Sequence, residues 1–330
     1  MAAMDEAVIN TVLEATGAED LTGADTIQSL WSGYGEILRL RLAGGNHTSV
    51  ILKHIKLPET TDHPRGWNTG LSHQRKIRSY QVEACWYQGY AAGCDTSCPV
   101  PQCLAVDASQ DETLLVLTDL DALGFDLRKD IVDLQDVYAC LAWLASFHAL
   151  FLNSHHEGLW DSGTYWHLDT RPDELPALED TALKSTAPLI DRQLRDCRYQ
   201  TLVHGDAKLA NFCFSADQPF PRVAAVDFQY VGRGCGMKDV AYFIGSCLDE
   251  KDCEAMEGDL LEYYFVALLE RVSQHHPEVD CRQLETEWRT MFDFAWADFH
   301  RFLKGWSPGH WKINDYSEKL TRRVIERLRR

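Results

Sequence analysis

Two acids and an amide stand at short spacing in the second half of the chain. His204-Gly205-Asp206-Ala207-Lys208-Leu209-Ala210-Asn211 is followed by Val226-Asp227-Phe228-Gln229. Leu202-Val203 reads as the end of a strand, Gly205 permits a sharp turn, and Asp206 emerges at its tip. A carboxylate held on such a loop can orient a hydroxyl group and receive its proton. Asn211 and Asp227 add an amide oxygen and a second carboxylate. Those are ligands suited to Mg²⁺, which keeps several waters and completes its shell with nucleotide phosphates. The chemistry this spacing points to is phosphoryl transfer, which asks a protein mainly for positioning and charge stabilisation. Lys208 lies two residues beyond Asp206, where fixed positive charge would stabilise the group in transfer. The His204 imidazole can hydrogen-bond backbone near Asp227 and keep the two loops in register.

The pattern resembles the His-Arg-Asp-x-x-x-x-Asn and Asp-Phe-Gly motifs of protein kinases, with Gly205 in place of the arginine and Gln229 in place of the glycine. With those departures, and with Asp239-Val240-Ala241-Tyr242-Phe243 downstream, the chain is similar to the kinase-like small-molecule phosphotransferases. These comprise aminoglycoside phosphotransferases, choline/ethanolamine kinases and, most similar here, the ecdysteroid-kinase-like group. The resemblance runs from about Trp31 to the C-terminal helices. It implies an α+β, two-lobed protein-kinase-like fold: an antiparallel-sheet N-lobe over 1–120 and a larger, mainly helical C-lobe over 121–330. It further implies ATP and Mg as cofactors, Asp206 as the base toward a small-molecule alcohol, Lys208 at the γ-phosphoryl group, and Asn211 and Asp227 on the metal. Asp239 would brace the catalytic loop from the start of a helix. No phosphorylatable activation segment is evident before Asp239, which fits a constitutive design.

The elements that must position these groups are readable on either side. Strand signals begin near Thr26, and residues 37–42 alternate apolar with polar as a half-buried strand does. Gly44-Gly45-Asn46 marks a turn, and residues 49–53 make the returning strand. Gly33 and Gly35 can let backbone amides approach phosphates, as plain hairpin glycines also do. In the resembled families a lysine at the place of Lys53 holds the α/β-phosphates and pairs with a glutamate on the next helix. The spacing predicts such a helix over 72–91, with Tyr80, Glu83, Ala84 and Tyr87 on one face. A carboxylate on that stripe needs a cation, and Lys53 is the partner. Arg75, Lys76 and Arg78 are assigned to other, solvated faces. Residues 114–117 form a short strand, and the resemblance implies that backbone from Leu117 through Thr118 to Asp119 holds the adenine edge.

Further helices are expected over 132–153, with His148 as a core histidine, and over 173–198; Leu284 to Phe302 makes another helical stripe. Arg233 and Lys238 can meet substrate or phosphate or lie at the surface, and the basic end of the chain is expected as a solvated helix face. Trp160, Tyr165, Trp166, Trp296, Trp306 and Trp311 can line an apolar acceptor pocket, or, with acidic neighbours, cage a quaternary ammonium. Three readings therefore stand open: a kinase of a bulky, partly apolar alcohol, a choline/ethanolamine-type kinase, and a catalytically silent nucleotide-binding protein. Gly205 and Gln229 disfavour a protein kinase.

Composition bounds the rest. The 330 residues suffice for two lobes, and 45% hydrophobic content excludes a disordered chain. Thirty-two basic against 50 acidic residues give a net charge of −18, which repels nucleic acid. The excess of acid reads as a solubilising surface, with an acidic cleft that draws cationic substrates as the alternative. No apolar run reaches the ~18 residues of a membrane span. Asp5 and Glu6 occupy the place of a basic leader, so a cytoplasmic protein is expected. An odd count of 11 cysteines fits free thiols. Cys94, Cys98 and Cys103 depart from C-x2-C spacing and read as small buried residues rather than a zinc site.

Overall fold

The computed structural model describes residues 4–30, 33–56, 70–109 and 112–329; Trp31, Ser32 and Arg330 lie outside them. Strands β1 (Asp20–Ser29), β2 (Gly35–Ala43), β3 (Ser49–Lys56), β4 (Cys103–Ala108) and β5 (Glu112–Thr118) form an antiparallel sheet in the order β1-β2-β3-β5-β4. Alternation gives the sheet two faces. On one, Leu38, Leu40, Val50, Leu52, Leu114 and Val116 are buried with Val8 and Val12 of helix α1 (Glu6–Thr16). The Asp5 side chain caps that helix by accepting from the Ala7 N–H. On the other face, Ile37, Arg39, Ile51, Lys53 and Leu117 border a deep cleft, and helix α2 (Gly70–Gly89) packs beside it.

Two strands differ from the sequence reading. β1 starts at Asp20 rather than near Thr26, because it is a mostly exposed edge strand of polar residues with no apolar alternation to announce it. The connector that carries Cys103 ends in β4, a half-exposed strand at the opposite edge. All eleven cysteines are free thiols, Cys98 fully buried among them.

The remaining chain is mostly helical: α3 (Leu134–Leu150), α4 (Glu174–Ala177), α5 (Thr181–Asp196), α6 (Met237–Cys247), α7 (Glu250–His275), α8 (Cys281–Trp306) and α9 (Asp315–Leu328). Asp133 and Asp136 form a capping box at the start of α3. The helix expected over 173–198 is two, because the Asp180 side chain accepts from the Leu183 N–H and begins a new helix there. Among the described residues no helix is long and apolar enough to cross a membrane.

Four three-residue strands punctuate this part: β6 (Thr201–Val203), β7 (Phe212–Phe214), β8 (Val223–Ala225) and β9 (Gly232–Gly234). β6 pairs with β9, and β7 with β8. His148 is the core histidine expected: it is fully buried, with Nδ1 2.8 Å from the Tyr264 hydroxyl and Nε2 3.1 Å from Asp239 Oδ2. Lys238, by contrast, is not at the surface. It is buried and donates to the Gly163 carbonyl at 3.0 Å. Arg322 and Arg323 stay about half exposed but pair with Asp180 and Asp293.

Candidate active site

The two strand pairs bring the chemical groups together. Phe212 of β7 faces Ala225 of β8, so Asn211 and Val226 are immediate neighbours, and the Val226 N–H donates to the Asn211 carbonyl at 3.0 Å. Asp227 follows at φ 70°, in the left-handed region, and its Oδ1 lies 3.6 Å from Lys53 Nζ. Pairing of Val203 with Gly232 lays the His204–Asp206 turn against Tyr230. Gly205 has φ 80°, and a Cβ there would stand 2.0 Å from the Tyr230 carbonyl oxygen. That contact is the physical reason this chain carries His-Gly-Asp: an arginine does not fit.

The loop is braced from below. Asp239, near the start of α6, accepts from the backbone N–H of His204 through Oδ2 and from that of Gly205 through Oδ1 at 3.0 Å. His204 Nε2 lies 2.9 Å from the Val226 carbonyl and ties the two loops together. Phe228 is fully buried and stacks on Trp86 of α2 with centroids 4.5 Å apart.

Asp206 is held on both oxygens. Lys208 Nζ reaches Oδ2 at 2.9 Å, Asn211 Nδ2 donates to the same oxygen at 3.1 Å, and the Tyr242 hydroxyl donates to Oδ1 at 3.1 Å. Burial pushes the Asp206 carboxyl above its ordinary value, although Lys208 opposes this. Asn211 also gives its amide nitrogen to the Asp206 carbonyl at 2.7 Å, which leaves its amide oxygen as the group to meet a cation.

Lys53 and Glu83 form the expected pair, buried and two-pronged, at 2.8 and 2.7 Å. Burial works against the Lys53 charge, yet Glu83 and then Asp227 outweigh it and hold the ammonium above its ordinary value. Lys53 Nζ is also 3.6 Å from Asp227 Oδ1. Burial pushes the Asp227 carboxyl up, but Lys53, Lys76 and Lys208 together bring it below the usual value. Asp227 Oδ1 is itself a buried oxygen with no hydrogen-bond donor. Such an atom is costly unless a cation meets it, so the residues present fit a hard metal ion shared with phosphates. Among the described residues, no group of three or more His, Cys, Asp or Glu gathers into a self-sufficient metal site.

Lys53, Glu83, Asp206, Lys208, Asn211 and Asp227 all line one cavity of about 440 Å³. Leu117, Thr118 and Asp119 line it too. The Asp119 carboxylate is already engaged by Arg39 at 2.7 and 3.1 Å and by the Ser49 hydroxyl at 2.7 Å, and the Thr118 N–H donates to the Gln102 carbonyl at 3.0 Å. Gly33 and Gly35 are not part of the lining. Gly35 has a packing reason to be glycine: a Cβ there would lie 1.9 Å from the His54 carbonyl oxygen on β3.

The face assignments on α2 need correction. Lys76 is not solvated. It lies four, seven and eleven residues before Tyr80, Glu83 and Tyr87, on the same stripe, and lines the cleft. Its ammonium donates to Gln229 Oε1 at 2.8 Å, and burial lowers its pKa to about 8. Arg75 and Arg78 are also half-buried and donate to the carbonyls of Thr170 and Leu159 at 3.2 and 3.0 Å. Gln229 additionally meets the Ser79 hydroxyl at 3.3 Å, so the residue that replaces glycine clasps α2 to the Asp227 loop.

The chain matches the Ecdysteroid kinase-like family over residues 86–158 and 163–276, more than half its length. It belongs to that family. By that membership the chain is a kinase-like protein. No curated protein matches the sequence. Among solved structures, a choline kinase from Cryptosporidium parvum Iowa II is similar at 10% identity, with 98% of this chain and 95% of that one covered and a TM-score of 0.52. A microcompartment-associated aminopropanol kinase is similar at 13% identity, with 98% and 97% covered and a TM-score of 0.50. An aminoglycoside phosphotransferase from Streptomyces rimosus, in complex with ADP and streptomycin, is 13% identical over 89% of this chain and 99% of that chain, with a TM-score of 0.46. At these identities the first two likenesses show the fold: an α+β protein-kinase-like arrangement of a five-stranded antiparallel sheet followed by a mostly helical part.

In this family member the aromatics expected at an acceptor pocket divide. Tyr165 lies beside Tyr242, the two hydroxyls 3.3 Å apart. Trp166 and Trp296 are core residues whose indole N–H groups bond Asp298 and Ser317, both at 3.0 Å. Trp160 stacks on Tyr230, Trp306 stacks on Phe302, and Trp311 is exposed. Sequence reasoning passed over Tyr242, although its place three residues after Asp239 put it on the same helix face as the loop brace.

Proposed function

We propose that this chain is a Mg- and ATP-dependent O-phosphotransferase whose acceptor is the hydroxyl of a small, bulky and partly apolar alcohol. The supporting observation is the convergence of Asp206, Asn211 and Asp227 on the cleft that also receives the Lys53–Glu83 pair. Residues 1–120 would act as the nucleotide-binding lobe and 121–330 as the lobe that carries base, metal ligands and acceptor site. Asp206 Oδ1 or Oδ2 would orient the acceptor hydroxyl and take its proton as the acceptor oxygen bonds to the γ-phosphorus and the bond from that phosphorus to the β,γ-bridging oxygen breaks, ADP leaving. Asn211 through its amide oxygen and Asp227 through its carboxylate would hold Mg, which neutralises charge on the nucleotide phosphates. Lys53, fixed by Glu83, reaches the phosphates from the sheet, and Lys208 sets positive charge beside the group in transfer. Backbone around residues 117–119 would meet the adenine edge, with the Thr118 N–H already given to the Gln102 carbonyl.

Transfer of label from ATP into a metabolite extract, followed by identification of the labelled product, tests the reading. Asp206→Ala should lower kcat at least ~10²-fold. Stabilisation by Mg-ATP with no phosphotransfer across a broad alcohol panel would instead identify a silent nucleotide-binding protein.

A further inference from the structure

Between α8 and α9 the chain passes the ring of Tyr242. There the Lys312 ammonium lies 5.4 Å from the Tyr242 ring centroid, 5.6 Å from that of Phe299 and 5.4 Å from that of Trp311. Among the described residues no carboxylate stands within ion-pair distance of it. One cation is thus surrounded by three ring faces, the arrangement by which proteins also recognise ammonium ligands. Burial lowers the Lys312 pKa to about 8, an effect that nearby anions only partly offset. The cage adjoins the chemistry, because the Tyr242 hydroxyl donates to Asp206 Oδ1 at 3.1 Å. Lys76 and Lys208 stand on the cleft side of the same carboxylate.

We propose that Lys312 is a specificity-determining residue: its side chain fills the Tyr242–Phe299–Trp311 cage with the chain's own cation and so excludes acceptors that carry an ammonium group. The proposal rests on the reading of Asp206 as the base that faces the acceptor. An incoming ammonium would meet a cage already taken and a second positive charge within it. Neutral or anionic hydroxyl compounds meet no such conflict, since the ammonium beside them repels neither.

Tetramethylammonium is the probe, read by the fluorescence of Trp311 at the cage edge and by thermal shift. The wild-type protein should show no saturable response up to tens of millimolar. Lys312→Ala, which opens the cage, should bind the probe at least about 10-fold more tightly, and Lys312→Arg should stay silent. Saturable binding to the wild type, or none to a folded Lys312→Ala, overturns the proposal. Phosphorylation of choline or ethanolamine by the wild type overturns it too, and that arm needs no variant to fold. The probe measurements do not depend on turnover, so a protein that transfers no phosphate counts against the kinase reading and not against the cage.

Discussion

Asp206 sits between opposing influences, and its titration should report them. Burial raises its carboxyl pKa while Lys208 lowers it. The acid limb of kcat/KM should therefore lie above the ordinary aspartate value of about 4, with activity lost as pH falls through it. Lys208→Met removes the cation at 2.9 Å and should move that limb to still higher pH. A limb that stays in place would mean that Asp206 is not the titrating base. Lys76 works in the other direction. Its folded pKa is about 8, against the usual 10.5. Between those values the unfolded chain binds more protons, so unfolding free energy should rise with pH across that window. Lys76→Met should flatten the rise and be more stable than wild type at neutral pH by on the order of 1–2 kcal/mol, once screening at a half-buried amine is allowed for. Denaturant unfolding from pH 7 to 10.5 measures both.

At the scale of elements, the decisive contacts are those that lock α2 and the two loops. Gln229→Gly removes the acceptor for Lys76 and Ser79. It should cost about 1–3 kcal/mol and speed amide exchange in α2. KM for ATP should rise, because Glu83 rides on that helix. Gly205→Ala forces a Cβ to within 2.0 Å of the Tyr230 carbonyl. Loss of activity should therefore exceed that of a mild loop change. The elements that position the site were readable where burial wrote a period into the sequence. The Tyr80–Glu83–Tyr87 stripe, residues 37–42 and the α3 face all carry one. β1 and β4 are edge strands, half in solvent, and leave no alternation to read. Lys76 shares the stripe, four residues before Tyr80 and seven before Glu83, so the helical period itself places it on the cleft face. The burial of Lys238 and the Lys312 cage depend on segments distant in sequence, which local spacing cannot encode.

For the molecule as a whole, the cleft is where the sheet face and the helical part meet, and a ligand that bridges them should stabilise both. Mg-ATP at 100 times its dissociation constant should add about 2.7 kcal/mol to unfolding free energy, visible as a raised Tm. Asp227→Asn should abolish most of that gain, because Asp227 Oδ1 is the buried oxygen with no donor of its own. Equal stabilisation of wild type and variant would place the nucleotide elsewhere.

Asp206, Asn211 and Asp227 hang from the same short strand pairs, whereas Lys53 belongs to the sheet. The 3.6 Å approach of Lys53 to Asp227 therefore spans the two. Any change in the width of the cleft would therefore change that distance. A pair of probes flanking these positions would time opening and product escape without touching the reacting groups.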